Sequence, residues 1–174
     1  IKLLNESGLN YKTFDHEPSA LEVAASIGPR LAKDTVGCLI NDEKEVQDLR
    51  TPLKDGTRIK LVTIKDPAAV EVARHSAAHV MAQAVQELWP DVKVTIGPVI
   101  ENGFFYDFDF PSQDGNKIQL TAETLPEIEK RMKGIIKKSL PIEQLFLDIE
   151  KATRDSKIAG QVYKAELLEE IKRG

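Results

Sequence analysis

The chain is 174 residues long, 41% hydrophobic and 30% charged, a composition that fills one generous core or two small ones and excludes a disordered or membrane-embedded polypeptide. Against 28 acidic residues stand 24 basic ones, and the formal charge of −4 excludes a globally basic nucleic-acid binder, so any RNA contact has to be local or lean on residues outside the chain. Cys38 is the one cysteine, which excludes an intrachain disulfide and a Cys-rich metal site and fits a reducing, cytoplasmic setting.

The opening residues Ile1-Lys2-Leu3-Leu4-Asn5-Glu6 lack the charged, apolar and small-residue succession of a secretory signal and lack an initiator methionine, so export is not indicated and the start reads as trimmed. Short β-prone runs at 1–4 and 11–14, joined by Asn5-Glu6-Ser7-Gly8, predict a hairpin. Ser19 with Glu22 three residues on predicts a capping box ahead of Leu21, Val23, Ala24 and Ile27, hence a short helix ending near Gly28-Pro29. Strands are expected at 36–40 and 58–64, with Asn41-Asp42 and Asp55-Gly56 as turns. Residues 1–65 thus read as a compact α+β module.

A boundary is expected near Lys65-Asp66-Pro67, with Asp66 capping and Pro67 opening a long helix that reaches about Trp89. Its most apolar run, 80–85, is broken by Gln83 and followed by Gln86 and Glu87, far short of the roughly 20 apolar residues of a membrane span. No membrane partner is expected. Then come a β-prone run at 92–96, Gly97-Pro98, the turn Asn102-Gly103, and a run in which Phe104, Tyr106, Phe108 and Phe110 alternate with Phe105, Asp107 and Asp109. An antiparallel hairpin is the simplest reading. Residues 125–138, capped by Thr121 or Thr124, read as a helix with Ile128, Met132, Ile135 and Ile136 on one side. The second module is therefore expected to be a helix-on-antiparallel-sheet layer, also α+β. Residues 141–147 read as a further strand, and Asp148 opens a short helix ending near Gly160, before Val162-Tyr163-Lys164.

Few residues carry chemistry. His75 and His79 sit four apart on the long helix, so both rings leave one face and can converge on one atom or one water. Packed or surface histidines fit the same spacing. A zincin needs Glu directly after the first His, and Ser76 stands there. Zinc needs a third and fourth ligand, and no Cys or His follows His79, so no metal site is expected in this chain. Cys38 reads as a buried small apolar residue, not the partner of His16 in a nucleophilic pair. The aromatic run reads as sheet core, with Tyr106 carrying a polar tip. Lys130, Arg131, Lys133, Lys137 and Lys138 read first as a solvated helix face and second as a phosphate track.

The run Arg74-His75-Ser76-Ala77-Ala78-His79, with Leu88-Trp89-Pro90 and Thr95-Ile96-Gly97-Pro98-Val99-Ile100-Glu101-Asn102-Gly103-Phe104-Phe105-Tyr106-Asp107-Phe108, closely resembles the N-terminal region of bacterial threonyl-tRNA synthetases. Residues 127–132 and Tyr163-Lys164 resemble later stretches of that family, and the first 65 residues resemble its TGS module. The resemblance implies a β-grasp (ubiquitin-like) module over 1–65 and an incomplete tRNA-editing domain, hydrolysing mischarged seryl-tRNA, over 66–174. It further implies a cytoplasmic ligase that joins threonine to tRNA, using ATP and zinc in a separate catalytic domain and meeting the acceptor end of tRNA. A homodimer is implied at full length, and a monomer for this stretch alone.

By the same resemblance, His75 and His79 match two histidines of the editing site and Lys164 matches a lysine of it. The family places a Cys-x3-His segment shortly after the point where this chain stops, so the isolated stretch is expected to be inactive or nearly so. His75 and His79 would orient water and the terminal ribose, and Lys164 would hold a polar group. Gly97 and Pro98 would line the pocket through exposed backbone, with Tyr106 as a further substrate-binding residue. Such a site has a physical rationale, because the methyl that separates threonine from serine discriminates by only about 1–3 kcal/mol in a pocket. The rival reading is a non-catalytic RNA- or protein-binding module. A TGS-bearing nucleotide-signalling hydrolase would carry a His-Asp metal pair, whereas Ser76 follows His75 and Val80 follows His79.

Overall fold

A computed structural model of the chain describes residues 1–5, 8–41, 43–95, 97–113, 116–118, 120–142 and 145–173. They fall into two compact units, Ile1–Ala73 and Arg74–Gly174, each mixed in helix and strand.

In the first unit β1 (Lys2–Asn5) pairs antiparallel with β2 (Gly8–Tyr11) and parallel with β4 (Arg58–Thr63), which pairs antiparallel with β3 (Thr35–Ile40). The sheet order is β2-β1-β4-β3. Leu3, Cys38 and Ile59 share one core with Leu53 and with Ala20 and Val23 of α1 (Ala20–Ile27). Helix α1 starts where the capping box predicts: the Glu22 amide donates to Ser19 Oγ (3.2 Å) and the Ser19 amide to Glu22 Oε2 (2.7 Å). The chain then bends at Gly28 and resumes as α2 (Pro29–Asp34), a helix the sequence reading did not anticipate. Pro29 has no N–H with which to continue α1, yet its fixed φ suits a first helical position.

Two expectations for this unit need correction. The second strand lies at Gly8–Tyr11, not 11–14, because Asn5 already faces Gly8 across the pair and Gly8 takes φ +106°, which favours glycine. Glu6, Ser7 and Asp42, expected in turns, lie outside the described residues. Asp66 does not cap the next helix. Its carboxylate accepts from the Thr63 amide (2.7 Å) and hydroxyl (2.8 Å), closing the end of β4 instead.

Helix α3 (Ala68–Leu88) begins in the first unit and carries most of its length in the second. There, three short antiparallel pairs replace the expected single sheet: β5 (Lys93–Val94) with β8 (Phe108–Asp109), β6 (Val99–Ile100) with β7 (Gly103–Phe104), and β9 (Ser112–Gln113) with β10 (Asn116–Lys117). The run 104–110 breaks at 105–107, where Phe105 donates its amide to the Pro98 carbonyl and Thr95 bonds through amide and hydroxyl to the Asp107 carbonyl. The core joins Ala84 and Val85 of α3 to Val92, Phe110, and Ile128 and Ile135 of α4 (Leu125–Lys137). Ile136 is exposed, since 128, 132 and 135 fall within one narrow stripe at 100° per residue and 136 lies beyond it.

Thr124 stands at the N-cap of α4, but its hydroxyl donates to the Thr121 carbonyl (2.8 Å). Pro126, at the second helical position, offers no amide to cap. Asp148 does cap α5 (Ile149–Ile158), accepting from the Lys151 amide at 2.8 Å. Gly160 (φ +69°) then turns the chain into α6 (Val162–Arg173), a helix unforeseen in the sequence reading. No strand forms among the described residues of 141–147; Glu143 and Gln144 lie outside them. Among the described residues no helix is long and apolar enough to cross a membrane.

Candidate active site

Along α3, His75, Ala78, His79, Ala82, Gln83 and Gln86 recur at helical spacing and face one cleft of about 410 Å³. That volume lies in the range of small-ligand sites. Buried Ala78 and Ala82 keep the floor low, where larger side chains would fill it. Val94, Thr95, Gly97 and Tyr106 form one wall, and Gln161, Tyr163, Lys164 and Leu167 of the α6 end form another.

The rings of His75 and His79 meet at 4.7 Å between centroids, inclined at 71°, with Nε2 3.0 Å from Nε2. One ring donates and the other accepts, so the pair shares a single proton at that contact. The cleft walls strip water from part of the His79 ring and hold its pKa below the ordinary histidine value, and the neighbouring charges of His75 and Lys164 act in the same direction. His79 therefore stays neutral, as a base must, at lower pH than a free histidine.

Of the residues picked out from the sequence, the cleft brings together His75, His79, Gly97, Tyr106 and Lys164. Pro98 is not part of its lining, and its carbonyl accepts from the Phe105 amide at 3.1 Å. Gly97 lines the cleft, but the side on which a Cβ would project is closed. A Cβ there would lie 2.2 Å from Tyr106 Cδ2, so the space is taken by the Tyr106 ring, which stacks on Phe108 at 5.0 Å and 15°. Burial raises the Tyr106 pKa, keeping the phenol protonated.

Ala78, Ala82, Gln83, Gln86, Thr95 and Tyr163 were not singled out from sequence. The period of α3 was signal enough for the first four, which fall on the face of His75 and His79. Thr95 and Tyr163 stand in the stretches that carry the family resemblance, near Gly97 and beside Lys164, but neither was expected to face the site. In the first unit, Cys38 is buried and its thiol is pushed up to about 11 by that burial and by Asp48. His16 bonds to Asp15 (2.7 Å) and Glu22 (3.3 Å). On α4, Arg131 pairs with Glu87 and Lys133 with Glu129. Among the described residues no three His, Cys, Asp or Glu side chains gather to hold a metal ion.

Residues 10–63 match the TGS domain model, a β-grasp-like fold to which the four-stranded sheet and α1 correspond. The chain is 54% identical over 160 residues to the threonine–tRNA ligase of Bdellovibrio bacteriovorus, and 40% identical over 160 residues to that of Francisella tularensis subsp. novicida. Each comparison covers 92% of this chain and 24% of the relative, so the chain spans about a quarter of the length of the curated relatives it matches. Across two structural units, with the TGS match confined to the first and identity running through both, the chain is similar to the N-terminal region of threonine–tRNA ligases.

Proposed function

We propose that this chain is the front of a threonyl-tRNA synthetase, with a TGS module over 1–65 and an editing domain over 66–174 in which the histidine cleft hydrolyses serine from mischarged threonine tRNA. The observation that carries this reading is the His75–His79 contact, Nε2 to Nε2 at 3.0 Å, on the floor of a cleft of about 410 Å³ that Lys164 also lines. In this mechanism a water, held by a neutral imidazole, adds its oxygen to the ester carbonyl carbon while its proton passes to the ring nitrogen that the His75–His79 contact leaves unprotonated and unengaged. Lys164 holds an oxygen of the ester and steadies the charge that develops there. The bond to the terminal ribose oxygen then breaks, that oxygen takes the proton back, and free serine and tRNA leave. His79, neutral to lower pH than a free histidine, serves as the general base, and His75 orients water or ribose.

Among the described residues no further His, Cys, Asp or Glu side chain gathers on this pair to build the four-donor shell of a zinc ion. ATP and zinc belong to a catalytic domain outside these residues. The partner is the acceptor end of tRNA, the setting is cytoplasmic, and the full-length protein is a homodimer.

The test mixes serine-charged threonine tRNA with this 174-residue chain, with a fragment extended through the Cys-x3-His segment that the resemblance implies, and with His75→Ala and His79→Ala versions of the longer fragment. Free serine is the readout. Removing one member of a catalytic unit commonly lowers the rate on the order of a hundredfold to a thousandfold or more. Hydrolysis is therefore expected from the extended, unmutated fragment alone. Serine release from the 174-residue chain at the same rate would mean that His75, His79 and Lys164 suffice. RNA retention with no hydrolysis by any fragment would favour the binding module instead.

A further inference from the structure

Helix α6 is tied to β8 by a hydrogen bond that the reaction does not itself use. The Tyr163 hydroxyl donates to Asp109 Oδ2 at 2.9 Å, between residues 54 positions apart. Tyr163 is in the first turn of α6, one residue before Lys164. Consecutive helical residues leave the axis about 100° apart, so anchoring Tyr163 on β8 fixes the direction in which Lys164 departs. Gln161, Lys164 and Leu167 follow at three-residue intervals and all line the cleft. The anchor and the wall also belong to one ribbon: β8 pairs with β5, Asp109 opposite Lys93 and Phe108 opposite Val94, and Val94 lines the cleft. A free lysine side chain samples many rotamers. Its value in a site depends on how firmly its own backbone is seated.

We propose that Tyr163 and Asp109 form a positioning pair that holds the first turn of α6 on the β5/β8 ribbon and thereby seats the Lys164 ammonium in the histidine cleft, against an oxygen of the aminoacyl ester. The proposal rests on reading that cleft as the hydrolytic site. Asp109 is not among the residues that line the cleft, and the Tyr163 hydroxyl is engaged with it. Their hydrogen bond raises the Tyr163 pKa and so keeps the hydroxyl a donor across the physiological range.

His79 reports where Lys164 sits, because the charges facing it are those of His75 and Lys164. The experiment is an NMR titration of the His79 ring in the 174-residue chain and in five variants. Lys164→Met removes the nearby charge and should raise the His79 midpoint. Tyr163→Phe should move it in the same direction by no more than Lys164→Met does, and Asp109→Ala, which deletes the acceptor, should reproduce Tyr163→Phe. Asp109→Asn keeps an acceptor oxygen and should stay near the parent. The double variant Tyr163→Phe with Lys164→Met should match Lys164→Met alone. The proposal fails if Tyr163→Phe and Asp109→Ala both leave His79 at the parent midpoint, or if Tyr163→Phe adds a shift when Lys164 is already methionine. Coupled midpoints without serine release from any fragment would sink the esterase reading and leave the positioning pair standing. Serine release with uncoupled midpoints would do the reverse.

Discussion

Gly97→Ala should damage the cleft by displacing the Tyr106 ring. The new Cβ would sit 2.2 Å from Tyr106 Cδ2, 2.4 Å from Cε2 and 3.0 Å from Cγ. Restoring contact at 3.4 Å or more requires a displacement of roughly 1 Å in a ring held on both sides, by Gly97 and by its stack on Phe108. Overpacking of this kind costs about 1–3 kcal/mol, and the part belonging to the stack is about 0.5–1.5 kcal/mol. Trp89 is the sole tryptophan and packs edge-on to Phe110 at 5.5 Å inside the second unit. Its fluorescence therefore reads urea unfolding of that unit by itself. The expected result is a lower midpoint for Gly97→Ala, with most of the loss abolished in a Tyr106→Ala background, because the clash partner is gone. An equal loss in both backgrounds would refute the reasoning, as would no loss in the parent.

Other outcomes follow from the same contacts. Gly37→Ala should destabilise the first unit by about 1–3 kcal/mol, since its Cβ would meet Val46 Cγ1 at 2.3 Å and the Gln47 carbonyl at 2.9 Å, where Cys38 and Gln47 exchange backbone hydrogen bonds; an unchanged urea midpoint from amide-resolved NMR would contradict it. Ser19→Ala removes the cap of α1 and should cost that unit about 0.5–2 kcal/mol, visible as faster amide exchange at Glu22 and along the helix. The two units should respond to acid in opposite directions through their histidines. His79 has a lowered folded pKa, so the unfolded chain binds the extra proton, and its unit loses stability as pH falls below about 6.5; comparing Trp89 unfolding between the parent and His79→Gln isolates the effect. His16 has a raised folded pKa, first through Asp15 and then through Glu22, so its contribution is fully present below about 6.5 and is lost as pH rises through the folded value. His16→Gln should flatten that slope in the first unit.

What the sequence made legible was local chemistry with a single solution. The Ser19/Glu22 box, the Asp148 cap and the long helix through His75 and His79 all appear where spacing predicts them, because each is decided within one or two helical turns. The errors came where a residue had a competing partner. Asp66 and Thr124 have the right chemistry for caps, yet both bond to upstream residues. The aromatic alternation of 104–110 has the period of one strand, but Phe104 pairs with Val99 and Phe108 with Val94, so the run is divided between two partners and two short pairs result. Gly97 lines the cleft, yet the side on which a Cβ would project is filled by the Tyr106 ring, a contact that sequence spacing alone cannot assign.

The composition of α3 reflects two duties. Ala84 and Val85 enter the core of the second unit, while His75, Ala78, His79 and Ala82 face the cleft, so the helix carries no clean apolar stripe and its period is blurred. This arrangement protects one part of the site more than the rest. The two histidines are four residues apart on one continuous helix, and any tilt of α3 carries both rings together and preserves the 3.0 Å between their Nε2 atoms. Tyr106 hangs on the Gly97 wall and Lys164 on α6, each tied to the unit by separate contacts. Damage to the core should therefore leave the imidazole pair intact and shift the groups that face it. In the proposed chemistry that would impair ester holding before it impairs the base.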